Sequence, residues 1–508
     1  MVSLGIDIGT SSCKVIAVAP DGSIIARASG EYPLSSAQQG YSEQAPEDWW
    51  RVTDQCVREV TMFLPEKGAE VAAIGLSGQM HGLVALDEAG EVIRPAILWN
   101  DQRCTEECDS ITDELGGIDE VVKATNNRLI TGFTAGKVRW LKDHEPQSFA
   151  LLSRVLNPKD FLRLRMTGKY VTDVSDASGT GLYDVAGRKW SAPMLEAAGI
   201  HESLMPKVVE SNEPTGYLSA DIASAWNVSR DVMVYGGGGD AVIQTLSMGI
   251  TQPGDIGITL GTAGIVAAVT NFCPENTKGR VQVSCYNRPG YWHIMGVSLT
   301  AAGALQWLTD TLQDLDPDKD VAFSRLIELA KQVPAGSDGL LFMPYLAGER
   351  SPTYAPTATA SWVGLTRMHR LGHLVRSVIE GALLNMREVL ENFKDMGVAC
   401  DRIIVSGGAT KEPFWLQTLA DIFGQEVIML TGSAEGGAYG AAITAGIGAG
   451  AWTSYEAVFE NLNVDQKYVP DAEKHELYSR LFEAHRHVFA DSEQMFENIR
   501  IARDRVAL

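Results

Sequence analysis

One short pattern of strand, glycine and hydroxyl residue occurs twice, half a chain apart. Gly5-Ile6-Asp7-Ile8-Gly9-Thr10 returns 252 residues later, in a chain of 508, as Gly257-Ile258-Thr259-Leu260-Gly261-Thr262. In the first copy, apolar residues alternate through Leu4, Ile6 and Ile8, as a strand requires, before the chain turns through Gly9-Thr10-Ser11-Ser12. Val15 to Val18 reads as the returning strand, and Asp21-Gly22 as a tight turn into Ile24-Ile25. A turn of this kind recurring at half-length predicts a duplicated, two-lobed architecture.

The same punctuation continues along the chain. Ala72 to Leu76 ends in Ser77-Gly78-Gln79-Met80-His81-Gly82, Val232 to Val234 runs into Gly236 to Gly239 and Asp240, and Ile403 to Val405 ends in Ser406-Gly407-Gly408-Ala409. Helical patterns lie between, at Pro46 to Phe63 with Glu47 and Asp48 in the first turn, and at Leu371 to Asn392. Strands alternating with helices predict an α/β fold with mixed sheets. The expected domains are residues 1–246, residues 247–450 after a boundary near the turn Gln252-Pro253-Gly254-Asp255, and a helical extension over 451–508.

Composition narrows the function. With 64 acidic and 42 basic residues the net charge is −22, which argues against a nucleic-acid or anionic-membrane surface, since either needs a basic stripe. No apolar run approaches the roughly 18 residues of a membrane-spanning helix. The opening MVSLGIDIGT lacks a basic leader segment, and the seven cysteines form no paired framework, so a cytoplasmic protein is expected. Cys104 and Cys108 have no third ligand nearby and read as helix cysteines, and His485 and His487 as solvated helix residues.

Glycine turns after strands let backbone N–H groups approach an anion closely. The chain has neither a Walker loop nor a Rossmann fingerprint, so two hairpins gripping the phosphates of one nucleotide are the alternative to glycines that merely permit turning. Asp7, among apolar strand residues, is explained by a magnesium ion or by bracing of the adjacent turn. Asp240 reads on spacing as a helix N-cap, with general base as the alternative. His81 beside Met80 reads as a core histidine or a ligand contact, and Trp99-Asn100-Asp101 with Arg103 as a polar loop or part of a site for a small polar ligand.

Together these residues resemble the carbohydrate kinases of the FGGY family over essentially the whole chain. Gly5 to Thr10 is similar to the family's phosphate hairpin, Gly132 to His144 to its first signature, and Ala360 to Glu380 to its second. Ser77 to Gly82, Ala96 to Asp101 and Leu156 to Leu162 are similar to the xylulose kinase branch. The resemblance implies two actin-like, ribonuclease-H-like lobes around a central cleft, with ATP and Mg²⁺ as cofactors and a ketopentose such as D-xylulose as acceptor. It implies that Asp240 is the catalytic base, reversing the preference for a cap. It further implies that Met80, His81 and Trp99 meet the sugar, and that Asp7 sits at the metal. Thr10, Ser11, Ser12 and Lys14 would lie near the transferring phosphates. Gly261 and Thr262 would hold the nucleotide, with Gly407, Gly408, Ala409, Gln306 and Glu412 on its adenosine side.

Two positions depart from that pattern. Ala241 stands where the branch commonly carries Asn, which leaves ribulose, another sugar or polyol, or a sugar-like signal molecule as alternative acceptors. Glu412 stands where some relatives carry Asn. A nucleotide-driven binding protein on the same fold is the reading from another class. Partners are otherwise the small-molecule substrates alone, and a homodimer is left open.

Overall fold

The computed structural model describes residues 1–314, 323–430, 436–459 and 464–506. The chain divides into two compact units. The first comprises Met1–Thr251, Val269–His293 and Glu435–Leu462, and the second Gln252–Ala268, Ile294–Ala434 and Asn463–Leu508. A single boundary near residue 250 therefore does not express the division, because the chain returns to the first unit twice.

In the first unit the opening hairpin is formed by β1 (Val2–Ile8) and β2 (Ser12–Val18), followed by β3 (Ile24–Glu31). Helix α1 (Pro46–Phe63) keeps the bounds expected from the sequence, with Pro at its first turn and Glu47 and Asp48 facing the positive end of the helix dipole. Its Trp49, Val52, Cys56, Val57 and Val60 are buried against β2 and β3. Then come β4 (Val71–Gly78), α2 (Thr134–His144), α3 (Pro158–Thr167), β5 (Pro214–Tyr217), β6 (Met233–Tyr235), β7 (Gly238–Gly239) and α4 (Asp240–Ser247). The sheet runs β5-β6-β4-β1-β2-β3, with β7 alongside β4. β1 is antiparallel to β2 and parallel to β4.

Gly5 and Gly75 are neighbours across β1 and β4 and make a flat place on the sheet. The helix Gly437–Gly448 lies on it so closely that a Cβ at Gly5 would collide with the carbonyl of Ala438, and one at Gly75 with that of Ala441. This approach puts the helix in the first unit, although sequence order alone groups it with the second half.

The second unit contains β8 (Gly254–Leu260), β9 (Gly264–Thr270), β10 (Trp292–Ser298), α5 (Ala302–Gln313), α6 (Leu371–Asp395), β11 (Cys400–Ser406), β12 (Val427–Leu430), β13 (Val464–Tyr468) and α7 (Ala472–Val506). Within a seven-stranded sheet, six strands run in the order β10-β9-β8-β11-β12-β13. β8 is antiparallel to β9 and parallel to β11, repeating the arrangement of β1 with β2 and β4. The repeat extends to the residue: Val2 corresponds to Gly254, Ile8 to Leu260, Ser12 to Gly264 and Val18 to Thr270, each 252 positions on.

One histidine differs from expectation. His487 is exposed, but His485 is buried on α7, where burial pushes its pKa down to about 4. Cys104 and Cys108 are buried at the start of the helix Thr105–Glu114, as helix cysteines. No helix among the described residues is long and apolar enough to cross a membrane.

Candidate active site

The turn between β1 and β2 is held from behind by its carbonyl groups. Tyr32 Oη bridges the carbonyl oxygens of Gly9 at 2.5 Å and Ser12 at 2.9 Å. Gln44 Nε2 donates to Thr10 O at 2.6 Å, Tyr32 N to Ser11 O at 3.2 Å, and Gly9 N to Ser12 O at 2.9 Å. With all four carbonyls engaged, the turn offers an approaching anion the amides and hydroxyls of Thr10 and Ser11. Trp99, 40% exposed, donates from its indole to Thr10 Oγ1 at 2.9 Å and so stands at the same hairpin.

The turn between β8 and β9 is held the same way by a different device. The first amides of α5 take its carbonyls: Ala302 N donates to Gly261 O at 3.0 Å, and Ala301 N and Gly303 N to Thr262 O at 2.8 and 3.2 Å. The helix that supports Gly261 and Thr262 also carries Gln306, which is exposed and donates to Asp310 at 2.7 Å. After β11, Gly407 takes a φ of 103° where a Cβ would meet the backbone of Leu260, so only glycine fits that turn. Gly408 and Ala409 continue as a short 3-10 turn. Glu412 caps the next helix through Phe414 N at 3.2 Å and pairs with Lys331 at 3.4 Å.

Back in the first unit, strand register sets Lys14, Asp7, Ser77 and Gly238 side by side across β2, β1, β4 and β7. Asp240 begins one residue beyond β7. Burial raises the Asp7 carboxyl, against the pull of Ser77 and Lys14. Its Oδ1 is buried without a hydrogen-bond partner among the described residues. An unsatisfied buried carboxylate oxygen beside a phosphate-type hairpin fits a hard divalent cation.

Asp240 is not the cap that spacing suggests. The N-cap of α4 is Gly239, and Asp240 is the first residue within the helix. Its carboxylate accepts from the amides of Ala241, at 2.8 Å, and Met80. Burial, reinforced by the charge of Asp7, pushes its pKa up to about 7. A carboxyl poised there exchanges protons near neutral pH, as a general base must.

Met80 is buried against Gly239, where a Cβ would lie 2.6 Å from the Met80 sulfur. His81 adopts a φ of 70°, a strained choice for a residue with a Cβ. Its Nδ1 lies 2.6 Å from Gly179 O and its ring 4.8 Å from Phe133. Its carbonyl accepts from Lys137 Nζ at 2.9 Å and Thr134 Oγ1 at 3.1 Å. Lys137 is fully buried, donates also to the carbonyls of Gly132 and Phe133, and is pushed down to about 8 by burial. It is a support that sequence reasoning missed, as are Tyr32 and Gln44. Spacing alone carries no signal for them, because each acts on a backbone far away in the chain.

The structure thus brings Asp7, Thr10, Ser11, Ser12, Lys14, Met80, His81, Trp99 and Asp240 onto one unit, and Gly261, Thr262, Gln306, Gly407, Gly408, Ala409 and Glu412 onto the other. Asp101 and Arg103 have structural work: they pair at 2.7 Å while both are buried, and Arg103 lies 3.8 Å over the Tyr41 ring. A cavity of about 340 Å³ in the second unit, with Tyr345, Glu349, His485 and Phe489 among its walls, contains none of the expected site residues.

Known proteins match this arrangement along its length. The model of the FGGY family of carbohydrate kinases, N-terminal domain, matches residues 2–247, and that of the C-terminal domain residues 257–449. The xylulose kinase of Escherichia coli strain K12 is 36% identical over 486 residues, covering 96% of this chain and 98% of its own. The gluconokinase of Bacillus subtilis strain 168 is 29% identical, covering 97% and 96%. The crystal structure of xylulose kinase from Rhodospirillum rubrum superposes with a TM-score of 0.92 at 30% identity, covering 98% of this chain and all of that one. Two α/β domains with mixed sheets, repeated hairpins and matches to both domain models lead to one assignment: the chain belongs to the FGGY family of carbohydrate kinases and has its actin-like, two-lobed fold.

Proposed function

We propose that this ATP-dependent sugar kinase transfers the γ-phosphoryl group to the O5 hydroxyl of D-xylulose, giving D-xylulose 5-phosphate and ADP. The observation that carries this reading is Asp240, a carboxyl with a pKa of about 7 at the start of α4, against Met80 and beside Asp7. As the carboxylate it orients the sugar hydroxyl and takes its proton. The hydroxyl oxygen forms a bond to the γ-phosphorus, and the bond from that phosphorus to the bridging oxygen of ADP breaks. Such transfer asks the protein mainly for alignment and for stabilisation of charge on the phosphoryl oxygens. Thr10, Ser11 and Ser12 supply amides and hydroxyls there, with Lys14 as the adjacent cation. Gly261, Thr262 and Gly407 to Ala409 hold the nucleotide, with Gln306 and Glu412 beside the adenosine.

Asp7, with its buried unpartnered oxygen, would hold Mg²⁺, which supplies charge neutralisation across the phosphates when bound. The first unit carries sugar and base, and the second carries nucleotide. Seven free cysteines suit a reducing, cytoplasmic setting.

The acceptor is read as a neutral sugar because Lys137, the ammonium at the His81 carbonyl, is already engaged by three carbonyl groups. The second reading keeps the kinase and changes the acceptor to ribulose, another sugar or polyol, or an aldonate, and Ala241 is what favours it. Comparing kcat/KM for ADP release across ketopentoses, polyols and aldonic acids decides between them. The first reading expects D-xylulose to lead, and a higher value for gluconate would replace it with the second.

A further inference from the structure

Behind the base lies a charge cluster with no solvent contact. Lys159 Nζ stands 2.7 Å from Asp160 Oδ1, 2.5 Å from Asp173 Oδ2 and 2.8 Å from Asp176 Oδ2. Arg163 pairs with Asp160 and also donates to the carbonyls of Val171, at 2.8 Å, and Gly236. All five side chains are buried. The three carboxylates are spaced as metal ligands would be, but the ammonium of Lys159 already stands in their midst as the cation. Burial alone would depress that ammonium, and the carboxylates overcome it and raise its pKa. Burial also raises the Asp176 carboxyl, which eases the crowding of three acids around two cations.

Isolated buried charge is destabilising, so a cluster of this kind needs a structural reason. Its contacts converge on the tetraglycine that precedes Asp240. Arg163 holds the first glycine through its carbonyl. At the other end Asp173 Oδ1 accepts from Ser175 Oγ at 2.5 Å and from the Ser175 amide at 2.8 Å. Ser175 Oγ in turn accepts from the Gly239 amide at 2.9 Å. Glycine is the residue least able to hold its own conformation. A stretch of four therefore needs outside anchors if the next carboxyl is to stay in place. Ser175, fully buried, joins the charge cluster to the residue bonded to Asp240.

We propose that Ser175 is a positioning residue for catalysis, which fixes the Gly239 amide to the buried Lys159–Asp173 pair and thereby sets where the Asp240 carboxyl stands. This rests on the reading of Asp240 as the base. Ser175 touches neither sugar nor nucleotide in this account, so its effect must run through Asp240.

The test is Ser175→Ala in the full chain, alone and combined with Asp240→Asn, using the acceptor that gives most ADP release. Losing one buried hydrogen bond to a serine oxygen is expected to lower kcat about tenfold, with KM for ATP unchanged. On the Asp240→Asn background the same substitution is expected to lower the residual rate less than twofold, because the group it positions is gone. If the alanine variant does not fold, Ser175→Cys keeps the shape with a weak acceptor, and the same pattern is expected with a smaller loss. An unchanged kcat, or equal losses on both backgrounds, overturns the positioning role. Near-native turnover by Asp240→Asn alone overturns the base itself, and this proposal with it.

Discussion

Removing the charge of Asp240 is expected to stabilise the protein while it disables the chemistry. In the folded chain burial holds this carboxyl at about 7, against an ordinary value of 3.8. At about 1.4 kcal/mol for each pH unit, the displacement comes to about 4 kcal/mol against the ionised form. Asp240 keeps part of its surface in solvent, and screening there reduces the effective figure to about 2 kcal/mol. The folded pKa lies above the unfolded one, so folding favours the protonated carboxyl. That contribution is complete below about pH 4 and disappears as the pH rises through 7. Asn carries no charge and can still accept from the amides of Ala241 and Met80. Asp240→Asn is therefore expected to melt about 2–3 °C above the native chain at pH 8. Below about pH 4 the two are expected to unfold together. Differential scanning calorimetry of the pair across pH reads this directly. Equal melting temperatures at pH 8 would mean the carboxylate is well solvated, and the argument for a base tuned to neutrality would fall.

Three further outcomes follow from the same geometry. Initial-rate kcat/KM is expected to climb about tenfold per pH unit below pH 7 and to flatten above it, as deprotonation of Asp240 requires, whereas a profile flat down to pH 5 would not fit. Gly5→Ala drives a methyl group into the carbonyl of Ala438, so thermal unfolding should show a loss of about 1–3 kcal/mol, and an unchanged melting curve would mean the helix Gly437–Gly448 does not lie where described. Tyr32→Phe frees the carbonyl of Gly9, leaves that of Ser12 to the Gly9 amide alone, and should raise KM for ATP several-fold while KM for the sugar holds, and a change confined to the sugar would remove the hairpin from nucleotide binding.

Much of this architecture was legible because strands punctuated by glycine are a local signal. The repeat at 252 residues became two hairpins of identical length, and the α1 pattern became a helix with the expected bounds. Local signals also misled. Asp after glycines and before a helix suggests a cap, yet the turn closes one residue earlier and leaves Asp240 inside the helix with its carboxyl on other amides. His485 looked solvated in a charged stretch, but α7 turns that one position inward. The residues that could not be found locally are those that act across the fold. Lys137 holds His81 from 56 positions away, Tyr32 holds Gly9 from 23, and Ser175 holds Gly239 from 64. The family signature Gly132 to His144 contains Lys137, and its work there is to fix a backbone carbonyl. Glu380 in the second signature likewise braces Gly336, Ser337, Arg376 and Tyr478.

The proposed function turns on Asp240 taking the proton from a ketopentose hydroxyl during phosphoryl transfer from ATP. Its most direct test is ADP release with and without D-xylulose, by the native chain and by Asp240→Asn shown to be folded. The expected result is ADP release that depends on the sugar in the native chain, and a fall in kcat of at least about 100-fold in the variant. ADP release indifferent to sugar, or a variant that turns over at the native rate, would contradict it.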